Sequence, residues 1–222
     1  MTQSSPIDQA TLYHYPLSRS ARVRMLLIEL DIPHEVRRVD VVRGEGLSPA
    51  FMAINPNHAV PVLQLRYSDG SEQTLLESGA MIIHLADLHP HAELIPPISD
   101  PVARGDVLQM VAFNASHLDT ILWNIRLHRD LFPKAVRSEA TVQFNMDKLE
   151  REVLPQLEAR LSRHDWICGN TFTAADCIMA QNLGWMRSYG IGRKGALRAY
   201  AKRLQARPSW QEAYSDMREF ER

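Results

Sequence analysis

The sequence predicts a small α/β domain followed by an all-helical domain. Strand-like and helix-like patterns alternate up to residue 90, whereas only helical periodicity recurs beyond residue 101. Between the two parts lies a short stretch that contains Pro96, Pro97 and Pro101 and is typical of a stiff linker. Alternating strands and helices favour a sheet with helices packed on it. We therefore expect an α/β domain at 1–90, a linker at 91–100 and an all-α helical domain at 101–222.

The first elements of the chain form a predicted β-α-β unit. Residues 11–16 and 35–42 are rich in β-forming side chains and predict two strands. Between them, apolar residues recur from Val23 to Leu30 at i, i+3, i+4 and i+7, which is the spacing of one helical face, and Pro33 ends the helix. Strand, helix and strand in this order favour parallel pairing with a right-handed crossover.

The remainder of the first domain adds a short helix, a hairpin and a third helix. The predicted elements are a helix at 47–54, strands at 62–67 and 74–76, and a helix that follows Glu77-Ser78. Asp69-Gly70 between the two apolar runs indicates a hairpin turn, and Pro90 closes the last helix. The predicted order is therefore β-α-β-α-β-β-α, with both parallel and antiparallel pairs in a mixed sheet.

The second part of the chain predicts helices only. Their expected spans are 107–122, 142–161, 176–186, 197–204 and 210–217. Pro155 interrupts the second of these, where we expect a kink. Phe172-Thr173-Ala174-Ala175-Asp176 contains a capping box, because Thr173 and Asp176 have the spacing at which each side chain bonds the other residue's backbone. We expect this motif to start a buried helix and to carry no chemistry.

Composition excludes several classes of protein. The 222 residues carry a net charge of −1, which points neither to nucleic acid nor to an anionic membrane. No apolar run approaches the ~20 residues of a spanning helix, and residues 1–10 lack the pattern of a secretory signal. Two cysteines, Cys168 and Cys177, indicate a reducing compartment, so we expect a cytoplasmic protein. The histidine and cysteine spacings match no metal motif, so we expect no metal site.

Three features of the sequence are expected to lie on one side of the predicted sheet. Ser18-Arg19-Ser20 lies where the first strand gives way to the first helix, Val60-Pro61 opens the third strand, and Glu77-Ser78 precedes the third helix. Each has a plain structural alternative, since the serines can simply cap helices and a trans proline can simply begin a strand. Helix N-termini stabilise anions, and ligands bind at the carboxyl ends of parallel strands. A zwitterionic peptide that carries a thiol would fit all three features.

The order of these motifs resembles the cytosolic glutathione transferase superfamily, in its bacterial-type, serine-using branch. The motifs that carry the resemblance are Asn55-Pro56, Val60-Pro61, Glu77-Ser78, Phe172-Thr173-Ala174-Ala175-Asp176 and Arg207-Pro208. The resemblance covers nearly the whole chain. It implies a thioredoxin-like N-terminal domain with a cis Pro61, glutathione as co-substrate, no metal, a helical domain that lines an electrophile pocket, and a homodimer.

The resemblance also implies roles for individual residues. Ser18 would activate the glutathione thiol, with Ser20 and Tyr13 as alternatives. Val60, beside the cis Pro61, would hold the cysteinyl backbone, and Glu77 with Ser78 would hold the γ-glutamyl end. Many members have lysine or glutamine just before the Val-Pro pair, whereas this chain has Ala59. Either His58 substitutes for that residue at the glycine end, or Ala59 leaves that end weakly held. The residues expected to line the electrophile pocket are Asn114, His117 and Trp123.

Three functions remain open from the sequence. The first is a transferase that conjugates glutathione to small, mostly apolar electrophiles, as in detoxification. The second is a glutathione-dependent isomerase of a maleyl-type substrate. Proteins that resemble that branch carry Ser-Ser-Cys at the start of the first helix, which Ser18-Arg19-Ser20 matches poorly. The third is a non-catalytic binding or regulatory protein with the same fold. Retention on immobilised glutathione together with thiol conjugation distinguishes these classes.

Overall fold

The structure, a computed structural model, describes residues 6–219 and separates into two compact units. One unit is Met1–Ser99 with Gln205–Arg222, and the other is Asp100–Leu204. The expected division near residue 100 is therefore present, but the C-terminal segment belongs with the first unit and not with 101–222. The physical reason is that helix Pro208–Ala213 packs on the first helix, where Arg207 forms a 2.7 Å ion pair with Glu29.

The first unit is built on a four-stranded mixed sheet in the order β2-β1-β3-β4. The strands are β1 Ile7–His14, β2 His34–Arg38, β3 Val62–Tyr67 and β4 Glu72–Leu75. β1 pairs with β2 in parallel and with β3 antiparallel, and β3 pairs antiparallel with β4. The predicted β-α-β crossover and the hairpin at Asp69-Gly70 are both confirmed.

Four helices complete this unit. They are α1 Ser20–Glu29, α2 Pro49–Met52, α3 Ser78–Leu88 and α10 Pro208–Ala213. α1 packs against β1, α3 and α10. Side chains of β1 alternate between the two faces of the sheet, as they do in any strand. Tyr13 and Tyr15 join a cluster with Phe51 of α2 on one face, whereas His14 contacts Ser20 of α1 on the other.

Two elements of the first unit are shorter than predicted. β2 stops at Arg38, because the Asp40 N–H donates to the Glu45 carboxylate and the Asp40 carboxylate accepts from the Arg43 N–H. Local bonds of this kind compete with the sheet ladder. The predicted helix at 47–54 divides into a 3₁₀ turn, Glu45–Leu47, and α2, which Ser48 caps by accepting from the Phe51 N–H.

The second unit is entirely helical apart from one isolated bridge between Trp166 and Gly169 among the described residues. Its α-helices are α4 Pro101–Ala112, α5 Asp119–Arg126, α6 Glu139–Lys148, α7 Leu154–Leu161, α8 Ala174–Ser188 and α9 Gly195–Gln205. A π-helical stretch, Phe113–Leu118, joins α4 to α5. A second, Leu149–Val153, joins α6 to α7 directly before Pro155, which is where the interruption was expected.

The capping box at the start of α8 is confirmed. Asp176 accepts from the Thr173 N–H at 2.8 Å, and the Thr173 side chain accepts from the backbone of Asp176. The Asp176 carboxylate also accepts from the Ile167 N–H at 3.0 Å and from the Tyr200 hydroxyl at 2.6 Å. Burial raises the pKa of Asp176, although the four hydrogen bonds that it accepts act in the opposite direction. The motif is structural, as the sequence predicts.

Candidate thiol-binding site of the first unit

The three features singled out in the sequence lie at one edge of the sheet. Tyr13, near the end of β1, pairs with Val62 at the start of β3, and Leu75 at the end of β4 pairs with Leu63. The chain therefore leaves β1, enters β3 and leaves β4 at the same edge. Pro61 lies directly before β3 and does not follow a parallel strand. Because β3 runs antiparallel to β1, the start of β3 nevertheless lies at the edge where β1 ends. The Val60–Pro61 peptide bond is cis.

The first feature is a pair of serines at the start of α1. Ser20 is the first helical residue and is fully buried, whereas Ser18 is only half-buried. Their hydroxyl oxygens lie 2.7 Å apart, and the Ser20 N–H donates to the Ser18 hydroxyl at 3.3 Å. Arg19 occupies the cap position of α1, and its side chain does not cap the helix. Ser18 is thus the hydroxyl that retains exposed surface beside the helix N-terminus.

A buried histidine and an aspartate stand behind the serines. His14 is 2% exposed, and its Nδ1 lies 2.8 Å from the Ser20 hydroxyl oxygen. Its Nε2 lies 2.9 Å from the Asp216 carboxylate, which also pairs with Arg24 at 3.0 Å. Burial raises the pKa of Asp216, but the His14 hydrogen bond and the charges of His14 and Arg24 lower it by a larger amount. The pKa of Asp216 therefore lies below its usual value. Sequence reasoning missed His14 and Asp216, because 202 positions separate them.

The second feature is the start of α3. Ser78 is its first residue and is buried, while Glu77 before it is exposed with a φ of +71°. The Arg22 guanidinium donates to the Ser78 hydroxyl at 3.2 Å. Arg22 is 1% exposed, so its guanidinium is buried in the first unit. A buried guanidinium and a helix N-terminus both favour an anion beside Ser78.

The third feature is the loop before Pro61. The Asn55 side-chain amide donates to the Ala59 carbonyl at 2.8 Å, and its oxygen accepts from the Asn57 N–H at 3.0 Å. His58 and Ala59 are exposed, whereas Val60 is buried. Gly46 packs so closely on this loop that an added Cβ would lie 2.5 Å from the His58 carbonyl oxygen. Asn55 and Gly46 therefore hold the backbone that presents His58 and Val60.

Tyr13 lies elsewhere, so the structure does not support it as an alternative activator. Its hydroxyl donates to Gln64 at 3.2 Å and accepts from Arg37 at 3.5 Å. Its ring packs edge-on against Phe51 at 5.7 Å. Successive strand residues point to opposite faces of a sheet, so Tyr13 faces away from the side on which His14 meets the serines.

The proposed pocket residues of the second unit have three different environments. Asn114 is fully buried, where it donates to the Met110 carbonyl and accepts from the Asn182 amide, both at 2.8 Å. It has no surface to offer a substrate, which corrects the expectation for this residue. His117 is exposed and stacks on Phe113, and Trp123 is half-buried and stacks on Trp185.

The cysteines are remote from these features in the sequence and unsuited to act as nucleophiles. Both Cys168 and Cys177 are free thiols of the second unit. Burial, followed by the nearby Asp176 and Asp106 carboxylates, raises the pKa of Cys168 to about 12. Within residues 6–219 no group of three or more His, Cys, Asp or Glu side chains is arranged to hold a metal ion. Over the same described stretch, no helix has the length and apolarity needed to cross a membrane.

Comparison with known proteins identifies the family. The family described as "Glutathione S-transferase, N-terminal domain" matches residues 12–93, and "Glutathione S-transferase, C-terminal domain" matches residues 117–208. Glutathione S-transferase GstA of Escherichia coli O157:H7 is 30% identical over 168 residues, which are 74% of this chain and 77% of that protein. The chain belongs to the glutathione transferase family. Its first unit accordingly has the thioredoxin-like fold of that family, followed by the helical domain.

Other glutathione transferase relatives differ in how much they share with this chain. Maleylacetoacetate isomerase maiA of Aspergillus fumigatus is 32% identical over 138 residues, 60% of this chain. The chain spans 59–66% of the length of the first curated relatives that it matches. Among solved structures, a glutathione transferase from Methylococcus capsulatus has a TM-score of 0.78 at 29% identity, covering 95% of this chain and 99% of that one. A sphingomonad glutathione S-transferase complexed with glutathione has a TM-score of 0.78 at 26% identity, covering 93% and 98%.

Proposed function

We propose that this protein is a serine-using glutathione transferase, which activates the thiol of glutathione for attack on a small, mostly apolar electrophile. The observation that carries the proposal is the position of Ser18, Val60 and Ser78 at the same edge of the thioredoxin-like sheet. Family membership supports glutathione as the co-substrate, and so does a related sphingomonad structure that contains glutathione. The family's role in detoxification extends to this chain as part of the same proposal.

In this proposal Ser18 stabilises the thiolate. Free thiols titrate near ~8.5, and a hydrogen bond from a hydroxyl beside a helix N-terminus lowers that value by roughly one to two units. The half-buried Ser18 hydroxyl is positioned to donate that hydrogen bond, whereas Ser20 is sealed beneath it. The thiolate sulfur then forms a bond to an electrophilic carbon, and the electron pair of the broken bond leaves with the departing group or moves to its neighbouring atom.

The remainder of the glutathione molecule is held at its backbone and its γ-glutamyl end. The Val60 N–H and C=O pair with the cysteinyl backbone. The Glu77 carboxylate accepts from the γ-glutamyl ammonium, and the Ser78 N–H and hydroxyl donate to the γ-glutamyl carboxylate. Buried Arg22 lies behind Ser78 and adds positive potential. His58 alone serves the glycine end, since Ala59 has no polar side chain. In the second unit, we assign electrophile contacts to His117 and Trp123.

The decisive experiment is a pH titration of the bound glutathione thiol in the wild type and in Ser18→Ala, monitored through the ultraviolet absorbance of the thiolate. We expect the thiol pKa of the bound peptide to rise by about one to two units in Ser18→Ala. Ser162→Ala is the matched control and should leave the thiol pKa unchanged, because Ser162 is an exposed serine of the second unit whose hydroxyl donates to the Ala159 carbonyl. An equal thiol pKa in wild type and Ser18→Ala would exclude Ser18 as the activator.

A second candidate is glutathione-dependent isomerisation of a maleyl-type substrate, which is favoured by the 32% identity to maleylacetoacetate isomerase maiA. Isomerisation regenerates glutathione, whereas conjugation consumes it. Counting free thiol before and after turnover of each substrate therefore separates the two reactions. Retention on immobilised glutathione with neither reaction would instead indicate a binding protein.

The proposal extends to the setting in which the protein acts. We infer a cytoplasmic homodimer that works without a metal, with two free cysteines as support for the reducing compartment. Sedimentation at micromolar concentration should give twice the 25.3 kDa chain mass. Conjugation should persist in the presence of a chelator, and its loss on chelation would contradict the metal-free assignment.

A further inference from the structure

We propose that His14, oriented by Asp216, accepts the glutathione thiol proton, which reaches it through the hydroxyls of Ser18 and Ser20. This inference rests on the proposed function, because it names where the proton goes when the thiolate forms. His14 acts through the two serines and does not touch the substrate, so it is a positioning residue of the site.

Four groups form one continuous hydrogen-bonded chain. The distances are 2.9 Å from Asp216 Oδ2 to His14 Nε2, 2.8 Å from His14 Nδ1 to Ser20 Oγ, and 2.7 Å from Ser20 Oγ to Ser18 Oγ. His14 and Ser20 are buried, while Ser18 retains exposed surface. The chain therefore connects a buried imidazole to the one hydroxyl that a thiol can reach.

The Ser20 hydroxyl is surrounded by more partners than it can satisfy at once. It accepts from the Tyr15 N–H at 3.2 Å and also lies within hydrogen-bonding distance of His14 Nδ1, Ser18 Oγ and the Tyr15 carbonyl. A hydroxyl has one hydrogen and two acceptor lone pairs. With one lone pair taken by Tyr15, the remaining lone pair and hydrogen must be divided between His14 and Ser18, which are the two shortest contacts.

The division depends on whether His14 Nδ1 carries a proton. When Nδ1 is bare, Ser20 donates to it and accepts from Ser18, so the Ser18 hydrogen points inward. When Nδ1 is protonated, it donates to Ser20, and Ser20 donates to Ser18. Ser18 then accepts from both the hydroxyl and the N–H of Ser20, so its own hydrogen is directed outward to the sulfur.

Thiol ionisation converts the first state into the second with all protons accounted for. The thiol proton moves to Ser18 Oγ, the former Ser18 hydrogen moves to Ser20 Oγ, and the former Ser20 hydrogen moves to His14 Nδ1. The products are a thiolate that accepts from Ser18 and an imidazolium that donates to Asp216 through Nε2. Two neutral hydroxyls are regenerated, and no oxidant or further reactant is needed.

The surroundings of His14 favour this charge distribution. Asp216 supplies the carboxylate that an imidazolium needs, and the pKa of Asp216 is lowered, so it remains ionised near neutral pH. Arg24 is the other charged group on this carboxylate, at 3.0 Å. Arg38 pairs with His14 across the sheet, but its guanidinium lies over the Tyr15 ring at 5.9 Å. Arg22 of α1 donates to Ser78.

The first test is the pH titration of the bound glutathione thiol in His14→Asn. Asparagine retains a hydrogen-bonding atom near the Nδ1 position but cannot gain a proton. We expect His14→Asn to raise the bound thiol pKa by about one unit, and to have no effect on it in a Ser18→Ala background. His34→Asn is the matched control, since His34 lies at the start of β2 and its Nδ1 lies 2.8 Å from the Ile32 carbonyl oxygen. An unchanged thiol pKa in His14→Asn, or an equal shift in both backgrounds, would overturn the relay.

The second test needs no variant, which matters because buried His14 also supports the fold. ¹⁵N NMR of the imidazole is recorded for the wild type with glutathione and with S-methylglutathione, which has no thiol proton. We expect both His14 nitrogens to carry protons in the glutathione complex and only Nε2 to carry one in the S-methylglutathione complex. Identical protonation in the two complexes would overturn the relay even where the bound glutathione is a thiolate. A wild type that binds no glutathione would overturn the proposed function itself.

Discussion

Arg22 carries a positive charge into the interior of the first unit. Its neighbours in sequence are Arg19, just before α1, and Arg24, and such a run of arginines usually indicates a solvated face. In the structure it is buried and donates to Ser78 at the start of α3. Taking a guanidinium out of water is costly unless hydrogen bonds and an anion compensate for it. The Arg22 guanidinium adds positive charge beside Ser78, where we propose that the γ-glutamyl carboxylate binds.

Arg22→Met should weaken glutathione binding by about tenfold, which corresponds to ~1.4 kcal/mol. The reason is that the ligand carboxylate loses a nearby positive charge and Ser78 loses its donor. Isothermal titration calorimetry at low salt measures the affinity. Arg198→Met, at an exposed position of α9, is the control and should change the affinity little. Equal affinities for wild type and Arg22→Met would show that Arg22 serves the fold alone.

At the scale of elements, the capping box is the clearest case of local sequence determining local structure. Thr173 and Asp176 begin α8 as predicted, and Asp176 also bonds Ile167 and Tyr200 elsewhere in the same unit. The motif thus organises a loop and a second helix in addition to its own. The predicted long helices show the opposite effect, because two π-helical stretches interrupt them and periodicity gives no sign of the first.

Asp176→Ala should lower the free energy of unfolding by about 3 kcal/mol, because several buried donors lose their acceptor. Urea unfolding monitored by circular dichroism measures the loss. Glu139→Ala is the matched control, since Glu139 also lies in the first turn of a helix but is exposed. We expect that substitution to cost no more than about 0.5 kcal/mol. If Asp176→Ala lowers the free energy of unfolding as little as Glu139→Ala does, Asp176 contributes no more than an ordinary helix cap.

At the scale of the whole chain, the C-terminal segment returns to the first unit. α10 packs on α1, and Asp216 beyond it pairs with His14 and Arg24. Residues at the two ends of the sequence thereby complete one unit, and the helical unit, Asp100–Leu204, is inserted between them. The candidate proton relay depends on this return, because its carboxylate comes from the last described segment.

The pairing of Asp216 should make stability depend on pH in the acid range. The pKa of Asp216 in the folded state lies below its ordinary value. Its contribution to the free energy of unfolding is therefore present above the unfolded-state pKa of ~3.9 and is lost as the pH falls through the folded-state pKa. Asp216→Asn should therefore be less stable than wild type at pH 7, and the difference should shrink below about pH 3. Urea unfolding at the two pH values tests this, with Asp8→Asn, at an exposed residue near the start of β1, as control. A stability difference that is independent of pH would contradict the ion-pair explanation.

The order of the elements, the capping box and the three motifs at one edge of the sheet follow from local features of the sequence. These depend on periodicity, on proline and glycine positions and on side chains a few residues apart, all of which are local properties. Other features are visible only once the chain has folded: His14 contacts Asp216, Arg22 is buried beside Ser78, Asn114 is buried inside its helical unit, and α10 joins the first unit. Those contacts join residues far apart in sequence, and they form because packing of complete elements closes long loops, which no local pattern specifies.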